Sequence, residues 1–123
     1  MINTEVDKEV LLNAIVQGIE DVKGYDITIL NLTQLENRIS DYFIVCTGSS
    51  NTQVSAISDS IERNVRTSLK EKPWHVEGKD NLQWVLMDYV SIAVHIFQPE
   101  FREYYDLESL WGDVEVKKIS VEN

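Results

Sequence analysis

Cysteine, proline and glycine are scarce in this chain, at one, two and five residues of 123. The lone Cys46 has no partner for an internal disulfide, so the fold is not built on oxidising chemistry. Cations are also few: 11 Lys and Arg stand against 21 Asp and Glu, a formal net charge of −10. That balance argues against nucleic-acid binding as the main contact, because gripping phosphates needs clustered Lys and Arg to displace counterions. No apolar run approaches the ~20 residues of a membrane span. The opening Met1-Ile2-Asn3-Thr4-Glu5 lacks a basic segment followed by an apolar core, so no secretory signal is read and no membrane partner is expected. The expected location is the cytoplasm.

Hydrophobic residues make up 43% and charged residues 26% of the chain, a balance that excludes both disorder and a membrane protein. The length fits one core, and neither a repeat nor an interior linker interrupts it, so residues 1–123 are read as a single domain. The acidic excess has two readings. It either steers the domain to a basic protein surface or serves solubility alone.

Val6, Val10, Leu11, Ala14, Ile15, Ile19 and Val22 recur at helical spacing, with Thr4 as cap and Gly24 as stop. Asp26 to Thr33 reads as a strand, and Gln34 to Asp41 as a connection. Tyr42 to Thr47 is a near-continuous apolar run, the pattern of a strand covered on both faces. A second amphipathic helix follows Gly48-Ser49-Ser50, with Val54, Ile57, Ile61, Val65 and Leu69 on one stripe, and ends in Lys70 to Pro73. Trp74 to Val76 reads as a short strand before a turn at Gly78. Further strands are expected at Leu82 to Tyr89 and Ser91 to Gln98, then a short helix from Glu100 to Leu110 ending at Trp111-Gly112. The tail from 113 is either an edge strand or a frayed end. The implied class is α/β (α+β), a mixed sheet of four or five strands flanked by helices. The strand–helix–strand segment between Tyr42 and Tyr89 provides room for a parallel crossover.

Few of these residues spell out chemistry. Cys46 reads as a small buried hydrophobe; a reactive thiolate needs a positive, partly exposed setting, and no base lies nearby in sequence. The Gly48-Ser49-Ser50 turn either cradles a phosphate at the helix start or simply caps the helix with Ser50 or Asn51. Its placement resembles the nucleotidyltransferase fold, but the paired carboxylates that hold metal there are missing: Asp59 and Glu62 fall within the helix and Asp88 stands alone. His75 and His95 have the spacing to meet across a sheet, without a third ligand beside them. No cofactor, metal site or catalytic constellation is read, so the chain is not expected to be an enzyme.

Aromatic residues say more. Trp84, Tyr89, Phe97, Tyr104, Tyr105 and Trp111 crowd the C-terminal half. Strand alternation turns Trp84, Leu86 and Asp88 to one face and Val85, Met87 and Tyr89 to the other. Both sets are large and apolar, so either helices cover both faces or one is offered to a partner.

The segments Ser40-Asp41-Tyr42-Phe43, Thr47-Gly48-Ser49-Ser50 and Gln53-Val54 resemble the first block of the ribosomal silencing factor family, also called RsfS or Iojap. Val76-Glu77-Gly78, Trp84-Val85-Leu86-Met87-Asp88-Tyr89, Val94-His95-Ile96-Phe97 and the closing run from Arg102 to Trp111 resemble its second block. The resemblance extends from about the first helix through Trp111. One departure is Val90-Ser91, where family members often carry Gly-Asp. The resemblance implies a nucleotidyltransferase-like fold without that catalysis. It also implies a translational repressor that binds the large ribosomal subunit through large-subunit ribosomal protein fourteen, at the intersubunit face. There it would block small-subunit joining and lower translation under nutrient limitation or in stationary phase. By the same analogy the partner-binding residues are Trp84, Asp88, Tyr89 and His95. The alternatives are a nucleotidyltransferase-like nucleotide-binding protein and a homodimeric scaffold that pairs through the same aromatics.

Overall fold

Two helices cover one face of a six-stranded mixed sheet, and a short C-terminal strap crosses the other, in a computed structural model that describes residues 5–119. The elements are α1 (Glu5–Asp21), β1 (Tyr25–Asn31), β2 (Tyr42–Thr47), α2 (Asn51–Leu69), β3 (His75–Glu77), β4 (Trp84–Asp88), β5 (Ile92–Phe97), α3 (Pro99–Tyr105), a 3-10 turn (Leu107–Trp111) and β6 (Glu115–Lys118). The sheet order is β3-β4-β5-β2-β1-β6, and β2 with β5 is its parallel pair.

Helix α1 buries Leu11, Ala14, Ile15 and Ile19, whereas Val10 is 37% exposed at the margin of the stripe. Thr4, the expected cap, lies outside the described residues. At the other end Gly24 N–H reaches the Ile19 carbonyl at 2.9 Å, but the left-handed residue is Lys23, at φ 64°. Helix α2 buries Val54, Ile57, Ile61 and Val65 against the same face, and the two helices touch backbone to backbone at Gly18. Ser60 Oγ donates to the Gly18 carbonyl at 2.7 Å inside that contact, so the buried hydroxyl is satisfied.

The sheet carries a core on each face. Ile44, Val85, Met87, Val94 and Ile96 point to the helices. Leu30, Phe43, Val45, Ala93 and Phe97 point to the strap, together with Leu32 and Leu107. All six residues of β5 are buried, because β5 has a strand on either side and a core above and below.

Three expectations are corrected. The sheet has six strands rather than four or five, because β6 pairs antiparallel with β1 as an edge strand. A parallel pair is present as expected, but the crossover from β2 runs to β5, past the segment between Tyr42 and Tyr89 read as its span; β4 runs antiparallel to β5 in a hairpin. The last helix breaks at Asp106, whose left-handed φ of 45° separates α3 from the 3-10 turn.

The segment between β1 and β2 is fastened at Asp41. Its backbone N–H donates to Ser91 O at 2.8 Å, and its carboxylate meets Arg38 at 2.8 Å and Lys8 at 3.0 Å. Burial raises the Asp41 pKa, but these hydrogen bonds and charges outweigh it and hold the group below its ordinary range.

Candidate functional site

Strand alternation settles which side of β4 is open. Val85 and Met87 are fully buried on the helix side, while Trp84, Leu86 and Asp88 stay partly exposed on the strap side. Gly78 shapes the approach to this strand. At φ 92° its Cβ position would fall 2.0 Å from the Trp84 carbonyl, so a side chain there collides with backbone.

The indole of Trp84 is fixed on three sides. Its ring stacks on Phe97 with centroids 4.8 Å apart and lies 4.9 Å from Tyr105. Its Nε1–H donates to His95 Nδ1 at 3.1 Å. Beyond Tyr105 the aromatic surface continues to Tyr104 at 5.0 Å, 79% exposed, with Leu110 of the 3-10 turn 73% exposed on the same strap. Residues 99–113 add five carboxylates and a single cation, Arg102, to this surface. Arg102 is engaged internally: it pairs with Glu108 and donates to Thr47, Thr28 and the Asp26 carbonyl. The strap therefore offers aromatic rings set among acids, of which Glu108 is paired with Arg102.

Four residues were expected at the partner contact, and the structure divides them. Trp84 and Asp88 share the open face. One Asp88 oxygen accepts the Val90 N–H at 2.7 Å. Tyr89 is 4% exposed and belongs to the helix-side core, where burial and then the charge of Glu62 push its hydroxyl pKa up. His95 is 5% exposed beneath Trp84, and burial pushes its pKa down to about 4. Neither side chain offers a surface of its own. Tyr104, Tyr105 and Leu110 belong to the open surface and were not among those four. The signal for them was present in the run from Arg102 to Trp111, where rings and acids alternate without a helical stripe.

The other candidate groups are engaged in structure. Ser50 caps α2 by accepting the Gln53 N–H at 3.1 Å, and Gln53 Oε1 in return accepts the N–H of Ser49 at 2.6 Å. Capping is thus the role the turn performs. Asp59 pairs with Lys79 at 3.0 Å and Glu62 with Arg66 at 3.2 Å. His75 and His95 do not meet, because β4 lies between their strands; two strand spacings are about 10 Å. Cys46 is fully buried, and desolvation pushes its thiol up to about 12, far from a reactive thiolate. Among the described residues no group of three or more His, Cys, Asp and Glu is placed to hold a metal ion, and no helix is long and apolar enough to cross a membrane.

Comparison with known proteins joins this chain and its fold to one family. The family model described as ribosomal silencing factor during starvation matches residues 5–123. The ribosomal silencing factor RsfS of Chromobacterium violaceum is 38% identical over 100 residues, covering 79% of this chain and 78% of the relative. A mouse protein named mitochondrial assembly of ribosomal large subunit protein 1 is 33% identical over 78 residues, 62% of this chain and 34% of the mouse protein. A crystal structure of a Chromobacterium violaceum protein superposes with a TM-score of 0.79 at 32% identity, covering 94% of this chain and 92% of that one. With a family match over nearly its whole length and a relative of this identity, the chain belongs to the ribosomal silencing factor family.

Proposed function

We propose that this ribosomal silencing factor docks on the large ribosomal subunit through large-subunit ribosomal protein fourteen and sterically prevents the small subunit from joining. The observation that carries the reading is Trp84: a large ring held partly exposed on the open sheet face, stacked on Phe97 and flanked by the tilted ring of Tyr105. Tryptophan in such a setting is the typical anchor of a protein interface, and aromatic rings ringed by acids suit a basic protein set in RNA. The mouse relative's name supports the large subunit as the side engaged. Trp84 supplies apolar contact, while Asp88 and the strap acids orient the domain on Lys and Arg of the partner. A capped helix start at Ser50 gives no support to the rival nucleotide-binding reading.

The test is co-sedimentation with separated large and small subunits, joined to a subunit-association assay. The expected result is binding to large subunits alone and fewer joined ribosomes. Trp84→Ala should weaken binding by about 2 kcal/mol, roughly 30-fold, with the fold intact. A folded Trp84→Ala protein that binds as well as the parent overturns the anchor assignment. Binding to small subunits, or none at moderate salt, overturns the mechanism.

A further inference from the structure

We propose that His95 is the positioning residue for the docking surface: it accepts the Trp84 indole N–H and so presets the exposed ring for the partner. The proposal rests on the docking reading above and adds a role for a buried residue that makes no contact with the partner.

The geometry starts from register. Trp84 pairs with Phe97 across β4 and β5, and Leu86 pairs with His95, so Trp84 and His95 are diagonal neighbours on the open face. Diagonal neighbours lie within reach of long aromatic side chains. Their ring centroids are 5.9 Å apart, and Trp84 Nε1 lies 3.1 Å from His95 Nδ1. An indole N–H only donates, so Nδ1 must be the lone-pair nitrogen and a neutral ring carries its one proton on Nε2.

The cost of that arrangement is visible. His95 Nε2 is buried without a hydrogen-bond partner among the described residues, so the ring is not held there for its own hydrogen bonding. Phe43 packs on the same ring at 4.7 Å and Phe97 at 6.5 Å, and these contacts fix the imidazole plane. A leucine would fill similar space without leaving a polar atom unpaired. What leucine lacks is an acceptor beneath the indole. With the acceptor present, the indole has one satisfied orientation on the sheet; without it, the ring can turn its N–H to water and must be reordered on binding. Ordering a side chain at an interface weakens association by about three- to tenfold.

The experiment compares His95→Leu with His95→Asn, whose side-chain oxygen can take the place of Nδ1, in the full chain. Nitrogen-15 spectra of the parent protein should show the Nε2–H tautomer. His95→Leu should speed hydrogen exchange at the Trp84 indole at least tenfold and weaken large-subunit binding three- to tenfold. His95→Asn should recover both. The proposal is overturned by the Nδ1–H tautomer, by a His95→Leu protein with unchanged indole exchange and affinity, or by a His95→Asn protein as impaired as His95→Leu. Should His95→Leu not fold, the parent tautomer and His95→Asn still decide. Trp84→Ala separates the two layers. If it binds fully, the docking reading falls and takes this role with it; if it loses binding while His95→Leu keeps it, only the positioning role falls.

Discussion

Arg102 and Glu108 meet through two contacts, Nε to Oε1 at 3.2 Å and Nη2 to Oε2 at 2.9 Å, across the chain reversal at Asp106. The same guanidinium donates to Thr47 Oγ1 at 2.8 Å and Thr28 Oγ1 at 3.2 Å. One side chain thus ties α3, the 3-10 turn, β1 and β2 together and holds the aromatic strap over the open face. The fork of five donors makes this possible, and a lysine has no equivalent geometry.

Arg102→Ala should therefore destabilise the fold by about 2–4 kcal/mol, because it strands a partly buried carboxylate and two hydroxyls. Arg102→Lys should recover less than half of that loss. Urea unfolding of the three proteins measures it, and a loss below 1 kcal/mol for the alanine variant would show that the clamp contributes little.

Val90 occupies a backbone conformation that suits glycine. Its φ is 73°, and the turn around it closes with Ser91 N–H on the Tyr89 carbonyl at 2.9 Å. A β-branched residue at positive φ is strained. The Asp88 carboxylate helps to hold it by accepting the Val90 N–H. Val90→Gly should raise stability by about 1 kcal/mol, visible as a higher thermal midpoint. An unchanged or lower midpoint would mean that the strain is relieved elsewhere.

Gly18 marks the closest approach of the two long helices. A Cβ there would sit 2.9 Å from Ile61 Cα and 3.0 Å from its backbone nitrogen. Backbone cannot yield as a side-chain tip can, so Gly18→Ala should cost about 1–3 kcal/mol despite alanine's better helix propensity. Denaturant unfolding gives the value; a stabilised alanine variant would show that the helices separate freely.

Stability should fall with acid in a defined window. The ordinary pKa of histidine, 6.5, drops to about 4 for His95 in the folded protein because burial disfavours the cation. Between those values the unfolded chain binds the extra proton, so stability is full above pH 6.5 and declines toward pH 4. The decline approaches about 3 kcal/mol. Asp41, held below its ordinary 3.8, adds a loss of the same sign at lower pH. His95→Asn, having no group that titrates there, should flatten the upper window in urea titrations at stepped pH. An equally steep decline in that variant would assign the effect to other groups.

Much of this arrangement was legible in residue order. Period-two alternation placed Trp84 opposite Val85, and helical stripes placed α1 and α2 within a residue or two of their ends. The open face of β4 was not legible, since Leu86 is as apolar as Met87; only the absence of a helix above it decides. Strand β6 carries Val116 among Glu115, Lys117 and Lys118, too few apolar positions to announce a strand, and it forms by borrowing the free edge of β1. The burial of His95 escaped notice for a related reason. Every residue of β5 is covered, so polarity alone could not tell a surface histidine from one beneath an indole.

The place of β5 in the sheet also dictates when the molecule can acquire its structure. This strand, residues 92–97, supplies side chains to both cores and bonds β2 on one edge and β4 on the other. A nascent chain halted before Ile92 has its two long helices and four prospective strands, but no strand to join the β1–β2 ribbon to the β3–β4 arm. Its lowest-cost contacts are local, and the pairing that closes the sheet spans roughly fifty residues, the kind of distant contact that slows folding. Synthesis must therefore pass Phe97 before the strand shared by both cores is available, and the β1–β2 ribbon joins the β3–β4 arm in one sheet only then.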